Sequence, residues 1–136
     1  MAALLEHTSD IAILAKGYRL EEVYADALRQ MNEVLLPGHC EGPRHYDCQM
    51  HLHLRGEDPT TLLIDFLSDV LALTYIQKAI FCEALFESLN RREVAVDLFG
   101  RWHGRLENEI KAVTYHEAHL SRDPFGKWTT PVLFDL

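Results

Sequence analysis

Apolar and polar positions change their spacing several times along the chain. Ile11-Ala12-Ile13-Leu14-Ala15 is a short apolar run that predicts a strand, closed by Gly17. From Leu20 the period becomes helical. Leu20, Val23, Tyr24, Ala27, Leu28, Met31 and Leu35 recur with acids and Gln30 between them, and Pro37-Gly38 ends the helix. Tyr46, Cys48, Met50, Leu52 and Leu54 then alternate with polar residues, the pattern of a half-buried strand. Asp58-Pro59 predicts a second helix start: a side-chain oxygen to cap, then a proline where no N–H is needed. Its apolar stripe is Leu63, Phe66, Leu67, Val70, Leu71 and Thr74, and its narrow polar face holds Asp65, Ser68 and Asp69. Residues 79–89 fit strand and helix equally. Residues 94–99, 110–120 and 128–134 read as strands, with Asp123-Pro124-Phe125-Gly126 as turn chemistry between the last two. The order β-α-β-α followed by a run of β predicts an α+β fold, a single domain over residues 1–136. Two helices would pack on a mostly antiparallel β-sheet.

Composition adds bounds to this picture. At 136 residues with 48% hydrophobic and 25% charged positions, the chain reads as one folded domain. No apolar run approaches the roughly 18 residues of a membrane span, and residues 1–6 show no secretory signal pattern. The expected location is the cytoplasm (or nucleus in a eukaryote), away from membranes. Cys40, Cys48 and Cys82 form no CxxC pair and are odd in number, so reduced thiols are expected. The formal net charge of −8 argues against tight direct binding to RNA, which needs a basic footprint; Arg91-Arg92 and the spaced Arg101 and Arg105 are only short clusters. A role in RNA metabolism would then run through a protein partner.

Four groups of residues bear on chemistry. His7-Thr8-Ser9-Asp10, just before the first strand, offers metal ligands or a locally hydrogen-bonded turn, and the residues alone leave both readings open. At the other end, the Asp135 carboxylate stands one residue before the α-carboxylate of Leu136. Two such groups repel unless solvated or neutralised by a cation, and hard oxygen donors suit Ca²⁺ or Mg²⁺. His51 and His53 share a strand face, but no cysteine or acid at suitable sequence spacing completes a metal site, so an exposed face is the expected setting. His39, His45, His103 and His119 read the same way. In Glu109-Ile110-Lys111-Ala112-Val113-Thr114-Tyr115-His116 each face of a regular strand mixes apolar and polar groups. Lys111 there is either a solvated edge lysine or a cation held against the acids. No nucleophile elbow, P-loop or GxGxxG appears, and the 7 glycines form no phosphate cradle.

These blocks resemble the archease family. His7-Thr8-Ser9-Asp10-Ile11 is similar to its N-terminal His-Thr-(Ala/Ser)-Asp-Ile signature, and Leu62-Leu63-Ile64-Asp65-Phe66-Leu67 to its second-helix motif. Ile110-Lys111-Ala112-Val113-Thr114-Tyr115-His116 resembles the Val-Lys-Ala-Val-Thr-Tyr-His block, and Trp128 through Leu136 its closing strand. Ala12 departs from a frequent family glycine, and Ser68-Asp69 from the more usual Asn-Glu. The resemblance implies a compact α+β domain that assists the GTP-dependent RNA ligase of tRNA splicing, promoting ligase guanylylation and multiple turnover. It implies an activator rather than an enzyme in its own right. By this resemblance the family's metal-binding acids would fall on Asp10 and Asp135, and Lys111 and Asp65 would match further positions associated with activity.

Two other classes remain open at this stage. One is a small metal-dependent hydrolase using the same acids with His7 or His116 as base. The other is a chaperone-like adaptor without chemistry.

Overall fold

Gly17 and Leu20 show how tightly the first turn is specified. A Cβ on Gly17 would stand 2.5 Å from Glu22 Cβ, so only glycine lets strand β1 (Asp10–Gly17) turn this closely into helix α1 (Leu20–Leu35). Glu22 then reaches back, its Oε1 accepting from the Tyr18 and Arg19 amides at 2.7 and 3.2 Å. These contacts come from a computed structural model, which describes residues 10–136. His7, Thr8 and Ser9 lie outside the described residues.

Strand β2 (Cys48–Arg55) follows, then helix α2 (Pro59–Gln77), with Asp58 as N-cap accepting from the Thr61 amide at 2.9 Å. Residues 79–89 resolve as a long strand, β3 (Ala79–Leu89), paired with β4 (Glu93–Trp102). Three further strands complete the chain: β5 (Ala112–Thr114), β6 (Ser121–Arg122) and β7 (Trp128–Asp135).

The α+β class and the two helices are as the sequence predicts, but the strands divide between two antiparallel sheets. One has the order β1-β7-β5, with β6 also on β7; the other is β2-β4-β3. The long strand expected over 110–120 is also cut short. After Thr114 the chain turns, with Ala118 N–H bonded to Tyr115 C=O at 3.1 Å and Glu117 at φ 59°, which no strand accommodates.

The helices bridge the sheets. Tyr24 of α1, Phe66 of α2 and Phe86 of β3 form an aromatic cluster with centroids 5.0 to 6.2 Å apart. Asn32, buried on α1, donates from Nδ2 to the Phe81 carbonyl at 2.9 Å and fixes α1 against β3. α2 is long and apolar enough, by length and composition only, to cross a membrane, which corrects the expectation that no segment approaches that length. Here Leu62, Leu63, Ile64, Phe66, Leu67, Val70 and Leu71 are buried in the core, while Asp65 and Asp69 interrupt the apolar sequence.

The cysteines also depart from expectation. Cys40 and Cys82 are joined as a disulfide, with Cα atoms 5.5 Å apart at a sequence separation of 42, while Cys48 is free. The pairing is set by the loop after α1 folding back on β3, a non-local contact that residue spacing does not encode. That loop has a second anchor. The Arg101 guanidinium of β4 donates to the carbonyls of His39, Glu41, Pro43 and His45, the His39, Glu41 and His45 bonds measuring 3.1, 2.7 and 2.8 Å.

Candidate metal site at the end of the first sheet

Alternation along β7 decides where its acid points. Thr130, Val132 and Phe134 are buried toward the helices, so Asp135 leaves the opposite face. Along β1, Ile11, Ile13 and Ala15 turn inward and Asp10 is exposed. The ladder register sets Asp10 directly opposite Asp135, with Ala112 of β5 on the other side of Asp135. Direct cross-strand neighbours carry their Cβ atoms about 4.5–5.5 Å apart, so the two carboxylates share one patch of surface.

The strand end is held rather than frayed. The Lys111 amide donates to the Asp135 carbonyl at 2.6 Å, and buried Phe134 pins the residue before it. Tyr75 of α2 fixes the neighbouring chain: its hydroxyl accepts from the Ile110 amide at 2.9 Å and donates to the Ile110 carbonyl at 2.7 Å. Asp135 and Leu136 are both only half-buried, leaving the chain end open to solvent.

Donor chemistry fits a hard divalent cation. Asp10 and Asp135 supply carboxylate oxygens from paired strands. Among the described residues no three His, Cys, Asp or Glu side chains converge, so such a cation would complete its shell with water or a partner.

The other sequence candidates are placed differently. Lys111 meets Asp135 through backbone only. Lys111 is exposed and borders a cavity of about 330 Å³ on the α2 side, with Ser68, Leu71 and Tyr75, and among the described residues no ion pair joins it to either acid. Asp65 accepts a hydrogen bond from the Tyr115 hydroxyl instead. One helical turn on, burial raises the Asp69 carboxyl above its ordinary range, and the Asp65 charge adds to the effect. The spacing of Asp65 and Asp69 already placed them on one helix face, but Tyr115 as their neighbour depended on the tertiary fold. His116 is exposed beyond the far end of β5, with Nε2 3.7 Å from Glu117, so it does not join Asp10 and Asp135.

His51 and His53 do find acids, which sequence spacing did not show. They come from the neighbouring strand: Asp97 at 2.9 Å and Glu93 at 2.7 Å. Each imidazole hydrogen-bonds its own carboxylate, so the face carries two separate imidazole–carboxylate pairs rather than a metal site.

Comparison with known proteins agrees with this architecture. The chain is similar to the archease of Methanosarcina acetivorans, 30% identical over 97% of this chain and 93% of that protein. It is 29% identical to the Pyrococcus furiosus archease, over 96% and 95%. The crystal structure of an archease, possible chaperone, from Thermotoga maritima superposes with a TM-score of 0.73 at 24% identity, covering 100% and 98% of the two chains. The solution structure of Methanobacterium thermoautotrophicum protein 1598 gives 0.68 at 21%, over 97% and 96%. A family model described as the Archease protein family (MTH1598/TM1083) matches residues 3–136, and the chain therefore belongs to the archease family.

Proposed function

We propose that this protein is a cytoplasmic activator of the GTP-dependent RNA ligase that joins tRNA halves, promoting ligase guanylylation and repeated turnover without RNA chemistry of its own. The observation that carries the reading is the Asp10–Asp135 pair, held opposite each other at an open, pinned sheet end. A Ca²⁺ or Mg²⁺ bound there by Asp10, Asp135 and the Leu136 carboxylate would offset phosphate charge at a docked ligase. The chain's own part is to fix two carboxylates on rigid strands, with no more than solvent between them and a partner. Lys111 carries the backbone link to Asp135 and borders the α2 groove. The net charge of −8 suits a basic protein partner better than RNA itself.

The hydrolase reading gains no support from His116, which is remote from the acids. An adaptor without chemistry is the competing reading, since the Thermotoga maritima relative is described as a possible chaperone. One experiment separates the three: incubate the protein with 3′-phosphorylated and 5′-hydroxyl RNA, GTP and metal, with and without ligase. The activator changes nothing alone and raises joined product with ligase. RNA cleaved by the protein alone supports the hydrolase, and complex formation without a change in rate supports the adaptor.

A further inference from the structure

The loop between α1 and β2 lies across the end of the β3–β4 pair as a strap with two kinds of anchor. One is covalent, the Cys40–Cys82 bond. The rest are hydrogen bonds. Besides the four carbonyls held by Arg101, His39 Nε2 donates to the Trp102 carbonyl at 3.0 Å, and the Asp47 carboxylate accepts from the Trp102 amide at 2.9 Å. Arg44 and the Tyr46 hydroxyl meet the Glu83 carboxylate of β3 at 2.9 and 3.1 Å. The strand ladder skips Cys82: Phe81 pairs with Gly100 and Glu83 with Phe99, which makes Cys82 the extra residue of a β-bulge. Opening the disulfide therefore breaks no strand pairing, and a chain of 136 residues is large enough to fold without a staple.

Access singles out one sulfur. Both cysteines are half-buried, and Cys40 lines an open cavity of about 330 Å³ with Arg29, Glu33 and Glu41. Exchange depends on which sulfur an incoming thiolate can reach. Cys48 is a poor competitor, since it packs against the core and burial raises its thiol pKa above the ordinary value. We propose that the Cys40–Cys82 bond is a redox-sensitive latch on the strap, opened by a dithiol reductant that attacks Cys40 Sγ through this cavity. The reductant's thiolate bonds to Cys40, the disulfide breaks, and Cys82 leaves as a thiolate that takes a proton from water. The reductant's second thiol then gives its proton to water and attacks the reductant sulfur held on Cys40. Cys40 leaves as a thiolate and is protonated in turn. Two electrons pass from the dithiol, which becomes a disulfide, to the two cysteines, which become thiols. Reduction leaves the strap on hydrogen bonds alone, most of them at the exposed surface, so it opens more often. The plainest alternative is a permanent staple. In the cytoplasm, where this protein is proposed to act, disulfides are usually transient instead.

The test uses the whole folded chain without ligase, so its outcome is independent of the activator reading. Dithiothreitol serves as the dithiol, and 2-mercaptoethanol with a rapid acid quench traps the first mixed disulfide. Dithiothreitol should open the bond without denaturant, read by mass spectrometry as newly alkylated Cys40 and Cys82. Adding about 1 M urea should change that rate by less than about twofold, whereas opening through global unfolding would raise it at least about fivefold. The trapped adduct should sit on Cys40. The reduced protein should keep its folded circular dichroism spectrum, with amide exchange across residues 38–42 faster by about tenfold or more. Oxidised glutathione should close the bond and restore slow exchange. A reduction rate that climbs steeply with urea would mark a permanent staple and overturn the proposal. So would an adduct on Cys82, loss of the fold on reduction, or exchange in the strap that reduction leaves unchanged.

Discussion

Asp135 stands directly opposite Asp10 across the β1–β7 ladder, although 124 sequence positions separate them. Like charges directly opposite on adjacent strands destabilise a sheet unless something neutralises them. Asp10→Asn should therefore raise the melting temperature in chelator, by an amount corresponding to about 0.2–1 kcal/mol. Ca²⁺ or Mg²⁺ should stabilise the wild type, and the same change should abolish that stabilisation. Thermal melts with and without metal check both signs. A variant that still gains stability from metal would remove Asp10 from the site.

Asp69 gives a pH-dependent prediction. Its folded pKa is raised, first by burial and then by Asp65, so the folded state holds its proton more tightly than the unfolded chain. The penalty is absent below the unfolded carboxyl pKa and grows as pH rises through the raised folded value. Asp69→Asn should thus melt higher than wild type at neutral pH, with the gain disappearing under acid conditions. Melting curves across that range test it; a gain that persists in acid contradicts the assigned cause.

How much of this was legible beforehand divides along the range of the contacts involved. α1 was readable over its full Leu20–Leu35 span because Gly17, Pro37 and the helical spacing are local signals, and Asp58-Pro59 marked the start of α2 for the same reason. The split into two sheets was not, since strand order depends on pairings between distant segments. Asp10 and Asp135 were singled out as acids at opposite ends of the chain, but only the β1–β7 register sets them face to face. The carboxylate partners of His51 and His53 come from β4 by the same kind of long-range pairing.

Cys40 and Cys82 give the plainest chemical test of the structure. Alkylation of the unreduced, denatured protein should label one thiol, Cys48, and labelling after reduction should reach all three. Closing a loop of this size stabilises by roughly 2–4 kcal/mol, so Cys82→Ser should melt measurably lower than wild type. Three labelled thiols in the unreduced protein, purified under oxidising conditions, would contradict the bond.

Arg101 should resist even the conservative change. Its planar fork serves four carbonyls in the loop from His39 to His45, a geometry that a lysine ammonium cannot reproduce. Arg101→Lys should cost about 1.5–3 kcal/mol and raise amide exchange across residues 39–45. Exchange unchanged in that loop would show that the disulfide alone holds it.

The central claim is that the Asp10–Asp135 end of the sheet activates a ligase. The most direct measurement is the number of RNA joining events per ligase, with this protein present at substoichiometric amounts alongside GTP and metal. Ligase guanylylation is followed in the same samples. Wild-type protein should carry each ligase past a single turnover. Asp135→Asn, folded by its melting curve, should leave the ligase near one turnover, and Lys111→Ala should fall between them. A ligase that turns over equally with wild type, with Asp135→Asn and with neither would contradict the account.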